Sequence, residues 1–411
     1  MKPSEFSQRS AQVQPAVVVG VGCGVGLGII RDLGQRGVPV LAVGSDSQVS
    51  ALLSRYCLAE ASVDPHYKEE DFIGELLALG SRLRRRGVMF AASDDSVAAL
   101  SRHKARLEKH FVLPLLSWDR MRLLVDKEEQ AKVAWRAGVE TPVTAFIHGP
   151  DDLAEAAATV PFPAVLKPSA PLALRRRLGV KVIQVQTKDD LKAAYDKISF
   201  CGSLLLQEVV PGRDDAVLIS GTYHDADSRP LAVFTGRKLR QRPRGFGDTR
   251  AGESRWSDEL AAVTLRLLDE VRYHGVSDVE FKRDARDGRL KLIEVNARQG
   301  LWAPLATAAG VNLSYAAYRD AVGRPYVAPP QRDGVRWLDA VYDVHDSVGE
   351  MLRGELEPKE WLSSLHTVRA DCLLSLHDPR PGLTEISRIA QRHLRHGLLR
   401  STQAESRHGV R

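Results

Sequence analysis

The chain has 411 residues, 44% of them hydrophobic and 27% charged, with a formal net charge of +6. At roughly 150 residues per domain that length implies two or three domains, and the composition excludes a wholly disordered chain. No uncharged apolar run reaches the about 18 residues a membrane span needs. The nearest candidate, 16–30, is broken by five glycines and ends at Arg31-Asp32. The charge sits at one end: residues 380–411 hold seven arginines against Glu385 and Glu405. A nearly neutral body argues against a nucleic-acid enzyme, which spreads a basic stripe over its main domain. Cys23, Cys57, Cys201 and Cys372 lie far apart with no CxxC pair, as expected of a reduced cytoplasmic chain without a disulfide framework or thiolate zinc site.

Residues 1–15 are polar, lack an apolar signal core and read as a disordered leader. The following AVVVGVGCGVGLGIIRDLGQRGVPVLAVGSD gives strand, glycine turn, helix and strand, a βαβ unit with a parallel sheet. VMFAAS (88–93) is another strand end, and a Rossmann-like first domain is expected over 16–116. A helical stretch over 118–142 stops at Gly138 and Pro142. Strands are then expected at PAVLKPS, LGVKVIQV and SLLLQEVVPG, with a helix at TKDDLKAAYDKI capped by Thr187. Three more strand-like segments follow, DAVLISGTYHD, PLAVFTGRKLRQ and the hairpin VSDVEFKRDARDGRLKLIEVNAR, which turns at Asp287-Gly288. APPQRDG is a linker, 335–400 reads as a mostly helical extension, and 401–411 as a basic tail.

The hairpin carries the strongest chemistry. Strand residues alternate sides, so Glu294 and Asn296 share a face and Arg298 continues the row, while Glu280 can face Glu294 from the partner strand. Two carboxylates and an amide oxygen make an all-oxygen site suited to Mg²⁺. Val279, Phe281, Leu292, Ile293 and Val295 would pack the opposite face. The same residues also fit a solvated hairpin with Arg298 pairing Glu294. Lys167 ends a buried strand, where a compact cation suits a phosphate. The loop after it carries Arg175, Arg176, Arg177 and Lys181, able to close over a triphosphate or to sit as a solvated tip. QEVVPGRDD offers main-chain groups near Glu208 and Val210 for an adenine ring, with Asp214-Asp215 for ribose hydroxyls. The GVGCGVGLG turn fails strict G-x-G-x-x-G spacing, since Val25 and Leu27 stand where glycine is needed; with Asp46 it keeps nicotinamide binding open only as an alternative. The cluster Arg237, Lys238, Arg240, Arg242 and Arg244, followed by Gly245, Gly247, Asp248 and Thr249, fits an anionic substrate or a solvated charge run.

In this order the pieces resemble the ATP-grasp superfamily, in its carboxylate–amine ligase branch that includes D-aspartate ligase. The resemblance covers roughly residues 16–325. It rests on the glycine turn, LLVDKEEQAKVAWRAGVETP, AVLKPS, LLLQEVVPG, GRKLRQRPRGFGDT and above all VEFKRDARDGRLKLIEVNARQG. It implies a Rossmann-like pre-ATP-grasp domain, a two-lobed ATP-grasp domain over 117–326 and a helical C-terminal extension, an α/β and α+β chain. It further implies that Lys127 and Lys167 contact ATP phosphates, that Gln207, Glu208 and Val210 line the adenine pocket, and that Asp215 or Asp214 reaches the ribose. Glu280, Glu294 and Asn296 would hold one or two Mg²⁺, or Mn²⁺. Arg298 would steady the transferred phosphoryl group, and Lys238 with the GFGDT turn would face the acyl donor. One departure stands out: SAPLALRRRLG has arginines and a single Gly179 where many members carry a glycine-rich loop. The implied activity joins a small carboxylate to an amine through an acyl phosphate with release of ADP and phosphate. An ATP-binding scaffold on the same fold is the alternative.

In the extension, Leu383, Ile386, Ala390 and Leu394 follow helical spacing, with Arg388, Arg392 and Arg395 on other faces. Such a stripe more commonly packs on its own protein; contact with an anionic membrane surface is the other reading.

Overall fold

The computed structural model describes residues 1–22, 24–45, 49–169, 174 and 177–391. The expectations placed on Cys23, Asp46, Arg175, Arg176, Leu394 and the tail 401–411 lie outside these residues. Within them the strands form three sheets.

The first sheet is parallel, in the order β3-β2-β1-β4-β5, built from β1 (Ala16–Val19), β2 (Val40–Gly44), β3 (Cys57–Ala61), β4 (Gly87–Ala91) and β5 (Phe111–Val112). β1 is buried at every residue, as a strand covered on both faces must be, which is why it reads as an unbroken apolar run. The glycine turn after it is filled from outside the domain. Gly24, at φ +85°, packs against Leu301 and Cys372, and a Cβ on Gly20 would collide with Ser96. Glycine here allows Leu301 and Cys372 to approach the turn.

The second sheet is antiparallel, in the order β6-β9-β7-β8, from β6 (Thr144–Ile147), β7 (Ala164–Pro168), β8 (Ile183–Val185) and β9 (Leu204–Glu208). It has its own small core around Leu166, Leu191, Leu204 and Leu206. The third sheet has seven strands, β14-β13-β10-β11-β12-β15-β16. Their ranges are β10 (Val217–His224), β11 (Pro230–Arg242), β12 (Asp248–Ser254), β13 (Gly275–Arg283), β14 (Leu290–Asn296), β15 (Arg336–Leu338) and β16 (Val368–Asp371). One face of β13 and β14 shares a core with the first domain through Val279, Phe281, Leu292 and Val295.

One segment differs from expectation. The leader is helical over Pro3–Gln12, because Phe6 buries its ring (7% exposed) in the first domain's core. The C-terminal extension is mostly helical, as expected, through 340–352, 358–364 and 379–391; within it β15 and β16 prolong the third sheet, and Trp337 is fully buried there. Three-residue and four-residue strands carry too short a period-2 pattern to stand out from flanking helices.

Candidate functional site

The register of the hairpin decides where the acidic residues go. Glu280 lies directly opposite Glu294, and Asp278 opposite Asn296. Directly opposed residues of an antiparallel pair project from the same face, so all four line one side of the sheet. A bulge makes this possible. The pairing slips just past Glu280, so that Phe281 opposes Leu292 and Ile293 becomes the extra, half-buried residue. Leu292 thereby stays in the core while Glu294 stays on the open face. Ile293, expected to pack the opposite face, is instead the residue the bulge absorbs.

Cations converge on this row from three elements. Lys238 of β11 is 2% exposed and donates to Glu280 Oε2 at 2.8 Å. Burial works against its charge, yet Glu280 prevails and holds the ammonium above its ordinary value. Lys127 opens the helix Lys127–Arg136, whose N-terminus is capped by Asp126 accepting from the N–H groups of Glu128 and Glu129. That cap aims Lys127 at Glu294 Oε1, at 2.7 Å. Lys167 ends β7 and donates to Gln207 Oε1 at 3.0 Å; Gln207 in turn donates to Thr144 at 2.9 Å. Desolvation in this crowded spot opposes ionisation of Glu294, but Lys127, by charge and hydrogen bond, with Lys167 and Arg298, carries its carboxyl down to about 2. Burial, only partly offset by Glu294, brings Lys167 down to about 8.

Lys167 should therefore lose its charge as pH rises through about 8. If Lys167 meets ATP, as the resemblance implies, the expected result is a fall in kcat/KM for ATP above that pH, approaching about tenfold per unit, since this ratio reports the free enzyme. Lys167→Arg, with a guanidinium that stays charged, should remove the alkaline limb; an identical limb in the variant would refute the assignment. Because the folded value lies below the ordinary 10.5, the unfolded chain binds more protons between the two, so folding should gain stability as pH rises across that window.

At the row's far end Arg298 makes a two-pronged contact with Asp94, at 2.7 and 3.1 Å, and reaches Asn296 Oδ1 at 3.4 Å. Asp94 belongs to the first domain, at the start of the helix Asp94–Arg102 capped by Ser93. Asp278 is 4% exposed, its Oδ1 has no hydrogen-bond partner, and burial next to Glu280 pushes its carboxyl well above the ordinary range.

The remaining expected residues are distributed as follows. Glu208 is buried, accepting from Val143 N–H, Lys291 and Arg286 at 3.0, 3.2 and 2.9 Å. Its side chain is thus committed to the hairpin, and any contact it makes with a base is through the main chain. Val210 is buried beside the turn. Asp214 accepts from the main-chain N–H groups of Gln241 and Gly245 and from the Gln241 amide, all at 3.0 Å, so it braces the 241–245 turn. Asp215 is exposed. Lys181 pairs with Asp248 of the GFGDT turn, joining the second and third sheets across the site. Arg177, of the arginine-rich loop, lies over the Phe200 ring at 4.2 Å.

The cluster 237–244 is a correction. It is neither a solvated run nor an open anion site. Arg237 pairs with Glu253 at 2.8 Å, Arg240 with buried Asp343 at 2.7 Å, Arg242 lies over Tyr342 at 4.3 Å, and Arg244 donates to Glu355 O at 2.9 Å. An irregularity in β11 between Lys238 and Arg240 re-aims the strand, so that Lys238 reaches Glu280 while Arg240, two residues on, reaches the extension.

No family model matches the chain. It is 23% identical over 276 residues to D-aspartate ligase of Enterococcus faecium (strain Aus0004), across 63% of this chain and 66% of that enzyme. The match therefore spans just under two thirds of that relative's length. Its fold superposes on N5-carboxyaminoimidazole ribonucleotide synthetase in complex with ADP, with a TM-score of 0.63 at 15% identity, covering 83% of this chain and 86% of that one. The biotin carboxylase domain of Hydrogenobacter thermophilus 2-oxoglutarate carboxylase, in complex with MgADP, ADP and bicarbonate, gives 0.62 at 17% identity over 79% and 74%. The chain therefore has an ATP-grasp fold.

To the row of acidic and basic side chains the second sheet supplies Lys167 and Gln207, and the third supplies Lys238, Glu280, Glu294 and Asn296. Two residues escaped the sequence reading. Asp278 was accessible to it, standing two places before Glu280 in the same alternating row. Asp94 was visible only as the acid after VMFAAS, because its partner lies 204 residues away. Asp94→Asn should lower kcat about tenfold by loosening Arg298 while leaving KM for ATP nearly unchanged, with Asp94→Glu partly restoring it. An unchanged kcat in Asp94→Asn would dispose of this positioning role.

Proposed function

We propose that this chain is an ATP-dependent carboxylate–amine ligase that forms an amide bond through an acyl phosphate. The observation that carries the reading is the direct opposition of Glu280 and Glu294 on one sheet face, each met by a lysine from a different element. A carboxylate row on one sheet face is costly in a folded protein unless cations or a bound ion neutralise it. The likeness to D-aspartate ligase supports the same reaction class.

The donors fit a hard divalent ion, being all oxygen, with Asp278 supplying a buried unpartnered oxygen beside them. Among the described residues no three His, Cys, Asp or Glu side chains lie together as a metal cage of their own, so Glu280, Glu294 and Asn296 would hold the ion jointly with the phosphates of a bound nucleotide. Mg²⁺ bound there would neutralise charge on the nucleotide's phosphates. In this reading Lys127 and Lys167 bind those phosphates, and Arg298 steadies the group in transfer. A substrate carboxylate oxygen attacks the γ-phosphorus, and the bond to the ADP oxygen breaks. The amine nitrogen then attacks the acyl carbon, phosphate departs, and the nitrogen loses a proton. No side-chain nucleophile is needed; preorganised charge provides the catalysis.

The test is phosphate release by purified protein with ATP and Mg²⁺ across a matrix of small carboxylates and amines, D-aspartate included, with the product identified by mass. Release that requires both an acid and an amine is the expected result. Tight ATP binding without release under any pairing would favour a nucleotide-binding scaffold instead.

A further inference from the structure

We propose that the C-terminal helix, 379–391, is a surface anchor for anionic lipid. Its root is rigid. Asp378 accepts from Arg31 Nε, Ser54 Oγ and the Arg55 N–H at 3.0, 2.8 and 2.9 Å, tying the start of the helix to the first domain. From there the helix presents the opposite polarity to one that packs on its own protein. Glu385 is turned inward at 5% exposure, whereas Leu383 is 63% and Ile386 41% exposed, and Ala390 is exposed on the same stripe. Leu374 and Leu376, just before the helix, are exposed as well, Leu376 almost completely. Leu383, Ile386 and Ala390, the described part of the expected stripe, thus do not pack on their own chain.

The occupant is indicated by charge. Exposed Arg380 belongs to the helix, and residues 392–411 add Arg392, Arg395, Arg400, Arg407 and Arg411 against the single acid Glu405. An apolar stripe followed in sequence by arginines partitions into the interface of an anionic bilayer, its side chains entering the acyl boundary while the cations meet phosphate. A second copy of the chain would bring the same cations against themselves. Among the described residues no helix is long and apolar enough to cross a membrane, so the contact is with the surface.

The test is co-sedimentation of the full chain with vesicles of phosphatidylcholine alone and of phosphatidylcholine mixed with phosphatidylglycerol. Binding to the mixed vesicles only, lost at high salt as the screening length falls from about 10 Å to about 3 Å, is expected. Leu383→Glu with Ile386→Glu should lower the partition coefficient about tenfold or more while leaving the thermal midpoint in place. Reversal of Arg380 to Glu should weaken binding less. Equal binding to both vesicle types, or none to either, would overturn the proposal. So would a dimer in sedimentation equilibrium that the double variant dissociates, since the stripe would then belong to a second copy. None of these readings depends on turnover, so the ligase assignment stands or falls separately.

Discussion

Glu294→Gln should abolish turnover, by at least about 10²–10³-fold, while the protein stays folded. The substitution keeps the side chain's shape and removes its charge. Three consequences follow from the geometry. Lys127 loses the carboxylate it meets at 2.7 Å. The oxygen set of Glu280, Glu294 and Asn296 loses half its formal charge. Lys167 loses its main source of opposition to burial, so its value should drop below the present figure of about 8 and leave a smaller fraction charged at neutral pH. The stability cost is small by comparison. The Glu294 side chain is 42% exposed, and a pair open to solvent to that extent contributes about 0–1 kcal/mol. ADP release, a circular-dichroism melt and the pH profile of ATP affinity measure the three effects. Retention of full activity would remove the metal assignment and the proposed reaction with it.

Asp343→Ala should give the largest loss of stability, about 3–5 kcal/mol, seen as a lowered urea midpoint. Asp343 is fully buried and accepts from Arg240 at 2.7 and 2.9 Å and from Trp361 Nε1 at 3.0 Å, with Arg250 a further 3.7 Å away. Its removal leaves the buried Arg240 guanidinium with Ser364 as its remaining side-chain partner. Replacing the pair together, Arg240→Met with Asp343→Leu, should cost far less, because neither charge is then stranded. A loss below about 1 kcal/mol for the single variant would show that water reaches the site. There is a functional corollary. Arg240 lies two residues from Lys238 on β11, so the docked extension holds the strand that presents Lys238 to Glu280. The single variant should therefore lose activity as well as stability.

Much of this site follows from local pattern. Period-2 alternation alone places Glu294 and Asn296 on one face of a strand, and a hairpin turn at Asp287-Gly288 brings Glu280 within reach. A lysine ending the apolar run AVLKP is legible as a cation at a sheet's mouth, and the parallel first domain follows from strands apolar on both faces. These signals survive because each is set by neighbours within a few residues.

Other features required the folded chain. Whether Glu280 meets Glu294 depended on a bulge at Ile293, and whether the arginines of 237–244 served substrate or structure depended on the irregularity after Lys238. A single-residue slip inverts which face a side chain takes and leaves no mark in composition. Asp94 with Arg298, Arg240 with Asp343 and Asp378 with Arg31 join residues roughly one hundred to three hundred and fifty positions apart. Charge pairing is non-directional in sequence, so any of 58 basic residues could have met any of 52 acidic ones. Local alternation determined which residue types face the open side of a strand; only the tertiary contacts decided which cation neutralises which carboxylate, and which are left over for a ligand.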